Sequence, residues 1–445
     1  MTASPFDSLM LREHLSDPQA ARLFSDAAEV RAMLLAEGAL AKAQGELGLI
    51  PETAARAIHR AAREVAIDPA GLAAGAASAG VVVPAFVEAF RAALGAPEHA
   101  AFVHHGATSQ DILDTALVLR LRPFLELCDA RLATILGHLA DGAERWAETP
   151  MAARTRGQIA TPTTLGARLA TWGAPLIRAR ERLAQLRPRL LVLSLAGAAG
   201  TSAALGPKAP ELARLMAAEL DLHCPEVPWH AARDGIAELA ATLAIQTASV
   251  GKIGLDLALL SQSEVGELRA GEGGGSSTMP HKANPVGAEA LVALARHASR
   301  LSGAAQEAML TAHERDGAAW TLEWLSLPQL CLAAAGALRQ AEALTADLRP
   351  DPARMRANMD ATRGLMMAEA ASFRLAQDLP RPQAQALVKT ACARTVESGR
   401  TLAEVLSQMP EGAGIDWRAA LDPAAHVGEA PALARRFASL ARRAG

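Results

Sequence analysis

An all-α chain of three helical domains is what the sequence predicts, on three observations. Alanine and leucine abound while tyrosine is absent and aromatics make up 3%, and these abundant residues lose least on entering a helix. Apolar residues recur at helical spacing, with Leu243, Val250 and Leu257 seven apart and Ile253 and Leu260 likewise. A β-branched run, Val81-Val82-Val83, is stopped by Pro84, and helical periodicity resumes after it.

The elements follow in order. Residues 1–103 read as an N-terminal helical domain, in which an amphipathic helix from Asp26 to Leu47 is ended by Gly48 and Pro51. Residues 104–348 form a central domain of long helices. One opens at Ile112, where Thr108 or Ser109 is placed to cap and Asp111 suits the first turn. Another runs from Ala237 to Ala270 behind a narrow apolar seam, with Glu264 and Glu267 on that seam where it either becomes exposed or, the favoured reading, enters a polar site. Further helices span Val286 to Met309 and Leu322 to Leu348, the second bent or restarted near Pro328. Asp351-Pro352 opens a C-terminal helical domain, residues 349–445, whose Arg435, Arg436, Arg442 and Arg443 form a solvated face.

Composition narrows the function. A chain of 445 residues can bury several cores. Hydrophobic residues make up 51%, yet no run of ~18 uninterrupted apolar residues occurs, so no membrane span is expected. The N-terminus has no basic segment followed by an apolar one, which argues against a secretory signal. Net charge is −3 without blocks of lysine or arginine, which disfavours nucleic acid as a partner. Cys128, Cys224, Cys331 and Cys392 have no paired spacing and read as free thiols in a reducing cytoplasm. His313-Glu314-Arg315-Asp316 lacks the second histidine of a zinc protease, and no other metal-ligand spacing stands out.

The chain is organised around Gly271-Glu272-Gly273-Gly274-Gly275-Ser276-Ser277-Thr278-Met279-Pro280-His281-Lys282-Ala283-Asn284-Pro285. Four glycines in five residues preclude a fixed helix, and serines, a lysine and an asparagine follow as donors. Pro285 then suits the first turn of a new helix. A loop carrying hydroxyls beside a helix N-terminus favours an anionic substrate. The P-loop spacing fails, and so does a dinucleotide fingerprint, because the preceding residues read as helix.

Gly-Ser-Ser-x-Met-Pro-x-Lys-x-Asn-Pro, with Glu289 beyond it, resembles the signature of the fumarase/aspartase superfamily, whose members make and break bonds beta to a carboxylate. His104-x-Gly106-x-Thr108-Ser109-x-Asp111 resembles its first signature region, where the Thr-Ser pair binds a carboxylate. Arg154-Thr155-Arg156-Gly157-Gln158 through Gly166 resembles the second, with Arg156 where adenylosuccinate lyases carry a catalytic histidine. The upstream histidine of those lyases is replaced by Val81-Val82-Val83-Pro84, and their phosphate-holding Arg-Tyr pair is missing. Trp320-Thr321-Leu322-Glu323-Trp324 and Gly364-Leu365-Met366-Met367-Ala368-Glu369-Ala370 resemble the bacterial 3-carboxy-cis,cis-muconate cycloisomerases.

That resemblance implies an enzyme that closes a tricarboxylate diene to a lactone in protocatechuate breakdown, without metal, nucleotide or other cofactor. The alternative is an adenylosuccinate-lyase-like enzyme releasing fumarate. It implies catalytic roles for Ser276, Ser277, Lys282, Arg156 and Glu289, with an Arg156–Glu289 ion pair. His104, Thr108, Ser109, Gln158, Asn284 and Arg315 would bind substrate. It further implies a homotetramer with a 20-helix core, each site built from three subunits. Arginine cannot titrate and so makes a poor general acid; Ser276 is the proton-moving candidate, activated by Lys282 and backbone N–H groups.

Overall fold

The computed structural model describes residues 4–275, 278–279 and 282–444. Helices dominate, as the composition demands. Ser25 caps the first long helix, α1 (Asp26–Glu46), by accepting the Ala28 N–H, and Gly48 ends it in the left-handed region at φ 67°. A second helix, α2 (Val83–Leu94), has Pro84 in its first turn and ends at Gly95. The valine run therefore forms no strand, and Val83 already belongs to the helix.

Five long helices follow: α3 (Ser109–Arg145), α4 (Leu165–Leu190), α5 (Asp234–Leu260), α6 (Val286–Glu307) and α7 (Gly317–Ala346). Among the described residues, three short antiparallel pairs interrupt the all-helical pattern. β1 (Pro150–Thr155) pairs with β2 (Gln158–Thr164), β3 (Leu268–Ala270) with β6 (Leu348–Pro350), and β4 (Gly274–Gly275) with β5 (Ala283–Asn284). Asp351 caps the next helix, α8 (Pro352–Asp360), so the chain does start afresh there.

Two of the long helices depart from their expected ends. α5 stops at Leu260 rather than Ala270, because Ser261-Gln262-Ser263 turns away and Gly266 takes φ 61°. The Glu267 N–H then returns to the Leu260 carbonyl at 2.9 Å. Glu264 and Glu267 thus lie on no helical seam: Glu264 is exposed in the turn, while Glu267 is fully buried. α7 starts at Gly317, five residues before Leu322, since the Asp316 carboxylate accepts the Ala318 and Ala319 N–H groups. It continues through Pro328 without a restart.

The chain falls into two compact units, each assembled from three segments. The first holds Met1–Arg131, Ala179–Ala248 and Ala293–Arg339; the second holds Leu132–Arg178, Ser249–Val292 and Gln340–Gly445. In the first, Met33, Leu40, Ile58, Phe86, Phe90, Ile112 and Leu212 form a fully buried core, each large side chain contributing about 1.5–3 kcal/mol. The second has its own core around Met359, Leu375, Leu402, Leu406 and Trp417. Its long helices are also cross-linked by polar groups. Trp172 on α4 donates to Asp256 on α5 at 2.7 Å, and Lys252 pairs with the same carboxylate. Gly254 lets α5 meet α6 closely, since a Cβ there would lie 2.7 Å from the Ala288 carbonyl.

By length and composition α5 could cross a membrane, but 56% of its most apolar window is buried inside the protein. Thr242, Gln246 and Thr247 are among its buried residues. Such a helix reads as the core of a folded bundle.

Candidate active site

In the first unit the site grows from the N-terminus of α3. The Thr108 N–H, an orphan donor of the helix end, is taken by the Asp111 carboxylate at 2.9 Å. Asp111 does far more than favour the helix dipole. It is fully buried and also accepts the Ala196 N–H at 2.7 Å, the Gly197 N–H at 3.0 Å and His230 Nε2 at 2.8 Å. Burial would raise its pKa, but these donors hold it below the usual carboxylate range. Glycine suits position 106, because its φ of 75° is in the left-handed region and a Cβ there would lie 3.2 Å from the Ala204 carbonyl oxygen.

Around this hub the expected substrate residues gather. Arg315 donates from Nε to Gln110 Oε1 at 2.8 Å and from Nη1 to Thr108 Oγ1 at 3.4 Å. Its Nη2 is buried and, among the described residues, has no partner. Gln110 in turn donates to the His230 carbonyl at 2.9 Å. His104 stands in the left-handed region at φ 65°, and its N–H and Nδ1 both meet Glu37 of α1. Burial depresses the His104 pKa, but Glu37 outweighs this and the net shift is upward. This unit thus brings Thr108, Arg315 and, through Gln110 and Asp111, the α3 terminus into one bonded network. Ser109 starts the helix itself.

A second polar layer lies one turn along α3. Arg233 is forked between Asp114, at 2.8 and 3.1 Å, and Glu323, at 2.5 and 3.0 Å. All three are at most 4% exposed, and the guanidinium also lies 4.8 Å above the Trp229 ring. Burial lowers the Arg233 pKa, yet the two carboxylates raise it on balance. Glu323 belongs to the Trp-x-x-Glu-Trp element, so that motif buries an acid against a cation. His313, at φ 54°, lies in the turn before Asp316, whose carboxylate caps α7. Among the described residues no three His, Cys, Asp or Glu side chains converge as a metal would require.

The second unit carries the other two signatures. β1 and β2 close through Arg156 and Gly157, both at positive φ (52° and 79°) as a two-residue type I′ turn requires. Arg156, Gln158 and Ile159 are exposed at this tip. Its base is tied down: Arg154 makes a fork to Glu267 at 2.7 and 2.8 Å, and Asn358 adds a bond to the same carboxylate at 2.7 Å. This polar cluster holds a hairpin rather than a substrate site.

The glycine-rich loop is shaped by β4 and β5, which pair Gly274 with Asn284 and Gly275 with Ala283. Asn284 is half-buried on that short ladder, and Lys282 is exposed with its N–H on the Met279 carbonyl at 3.0 Å. Ser276 and Ser277 lie outside the described residues. Glu289 is exposed in the first turn of α6, and among the described residues no ion pair within the chain joins it to Arg156.

Comparison with known proteins gives this geometry a context. The lyase family matches residues 7–299, and the family described as adenylosuccinate lyase C-terminus matches residues 364–437. A Pseudomonas aeruginosa protein named 3-carboxy-cis,cis-muconate cycloisomerase is 44% identical, covering 98% of this chain and 97% of its own. A nitrosuccinate lyase of Streptomyces davaonensis is 40% identical over 93% and 90%. The crystal structure of 3-carboxy-cis,cis-muconate lactonizing enzyme from Pseudomonas putida superposes with a TM-score of 0.94 at 41% identity, covering 98% of this chain and all of that one.

Proposed function

The chain belongs to the lyase family of the fumarase/aspartase superfamily, and from that premise we infer that it interconverts 3-carboxy-cis,cis-muconate and 4-carboxymuconolactone. It is an enzyme of the intramolecular-lyase class. What carries the inference is the near-full-length match, at 44% identity, to a cycloisomerase of that name. The adenylosuccinate alternative is the weaker one, with Arg156 where those lyases place a histidine.

The chemistry asks for what these residues can supply. Closing the lactone adds one carboxylate across a double bond; the reverse step removes a proton beside a carboxylate while a carboxylate leaves the next carbon. Charge accumulates on an already anionic group, so fixed donors must await it. Arg315 Nη2, free of any bond among the described residues, and the raised His104 imidazole suit a carboxylate beside the Thr108–Ser109 terminus. Lys282 and Asn284 would hold the carboxylate that gains charge, and Gln158 and Arg156 would neutralise the remainder. Ser276 would move the proton, with Ser277 beside it. The ring closes within one molecule, so holding the diene in a reactive conformer is itself much of the catalysis. No cofactor enters this scheme.

Assembly belongs to the same proposal. The division at residues 103 and 348 and a homotetramer with a 20-helix core follow the superfamily, as does a cytoplasmic location away from membranes and nucleic acid. An Arg156–Glu289 pair would then form between subunits. Exposed Ile245, Leu255 and Leu259 on α5 support packing against other copies.

Two experiments decide. Purified protein should consume 3-carboxy-cis,cis-muconate, read as loss of diene absorbance, with a chelator present; turnover of adenylosuccinate instead would end the inference. Ser276→Ala and Gln158→Ala should each lose at least about a hundredfold in activity yet complement when co-refolded, because some mixed tetramers contain a site with neither lesion. A fully active monomer would exclude the shared site.

A further inference from the structure

A buried acid that sequence inspection passes over stands behind His104. Glu37 is 1% exposed, in the middle of α1, on a face otherwise made of Met33, Leu34, Leu40 and Ala41. Both its oxygens are spent on one residue: Oε2 accepts the His104 N–H at 3.0 Å, and Oε1 meets His104 Nδ1 at 2.6 Å. Gln44, two turns further along the same face, donates to the neighbouring His105 carbonyl at 2.7 Å. Arg91 of α2 donates to the Val103 carbonyl at 2.9 Å on the other side. The segment is thus gripped from two helices while His104 itself is held at φ 65°, a conformation a non-glycine residue enters only under constraint.

We infer that Glu37 is a positioning residue: by taking the backbone N–H and Nδ1 together, it fixes the His104 ring and leaves Nε2 as the atom that donates to a substrate carboxylate. Among the described residues Nε2 has no partner, and the side chain keeps 18% of its surface exposed. A merely structural anchor would not need a charge here. Glutamine accepts the same N–H at far less desolvation cost, whereas a buried carboxylate is stable only against a cationic or strongly donating partner.

The charges acting on the ring come from three helices. Glu37 of α1 and Asp111 of α3 favour the imidazolium, Arg91 of α2 opposes it, and burial opposes it most; the carboxylates prevail. The ring is therefore positive over a wider pH range than a free histidine. That suits binding a trianion and gives no help in abstracting a proton.

The inference rests on the carboxylate-binding role assigned to His104 above, and the test separates the two. Glu37→Gln keeps the hydrogen-bond acceptor and the shape but removes the charge. It should raise KM about tenfold near neutral pH and change kcat less than about threefold, the signature of lost binding rather than lost chemistry. The alkaline limb of kcat/KM should move to lower pH. Glu37→Asp should recover part of the loss. Independently of turnover, imidazole nitrogen resonances of histidine-labelled protein, with His104 assigned through His104→Asn, should titrate at lower pH in Glu37→Gln than in wild type. Calorimetry with propane-1,2,3-tricarboxylate should show the matching loss of affinity. If wild type ignores 3-carboxymuconate but the His104 resonance still shifts, the substrate assignment fails and the positioning role stands. An unchanged His104 titration, or a loss of thermal stability and kcat together with an unshifted pH profile, would overturn it. Should Glu37→Gln not fold, the same resonance in Glu37→Asp must move in the same direction, and an unmoved one counts against the role.

Discussion

The α3 terminus and the β1–β2 hairpin both carry signature residues, and they are built on opposite plans. At the first, Asp111, His230, Arg233, Asp114 and Glu323 are all at most 5% exposed; Asp111 pairs with His230 Nε2 and Arg233 with Asp114 and Glu323, while His230 Nδ1 has no partner among the described residues. At the second, Arg156, Gly157 and Gln158 stand in solvent, and only the base of the hairpin is anchored, through Arg154 and Glu267. The first is preorganised at the expense of desolvating several charges; removing one member strands the rest. The second gives up nothing to the fold and keeps its side chains available for a ligand. Burial and exposure thereby fall to different signature residues.

That contrast can be broken experimentally. The largest effect should come from Arg233→Ala, which leaves Asp114 and Glu323 buried without their cation and should cost about 3–5 kcal/mol in urea unfolding. A loss under about 1 kcal/mol would mean the layer is not over-determined. Next is Gln158→Ala, expected to lower kcat/KM about a hundredfold while stability stays within ~0.5 kcal/mol. A matching fall in stability would erase the distinction.

A third test uses acid. The folded Asp111 carboxyl sits below the usual range, so its stabilisation is present above the ordinary carboxylate pKa and is lost as pH falls through the lowered folded value. Asp111→Asn should flatten that acid limb of stability against pH, whereas Arg156→Gln should leave it unchanged. The smallest effect belongs to the exposed Arg435–Glu148 pair, 2.6 Å apart, where Arg435→Ala should cost less than about 1 kcal/mol.

What the sequence made legible was local. Asp26, Gly48, Pro84 and Asp351-Pro352 mark helix ends through groups that act on their own neighbours, and each stands at a boundary. The superfamily and the activity class were readable because the signatures are contiguous. The α5 terminus was not, since the pattern of Glu264 and Glu267 continues a helical period while Gly266 and the pull of Arg154, 113 residues away, end it. Glu37, His230 and Arg233 were missed for the same reason: each is defined by a partner distant in sequence. Glu37 alone left a trace, as an acid amid the apolar face of α1. The glycines at 197, 200 and 206, all at positive φ, were a further overlooked sign of the loop that cradles Asp111.

The hairpin tip has an evolutionary consequence. Arg156 occupies a left-handed position whose strain, about 1–2 kcal/mol, is nearly the same for most L-residues, and its side chain makes no contribution to either core. Exchange at this position is close to neutral for folding, so selection can sample new chemistry there without first acquiring compensating mutations. A side chain held this way can be exchanged for another chemistry at little expense to the hairpin beneath it, which is anchored by Arg154 and Glu267.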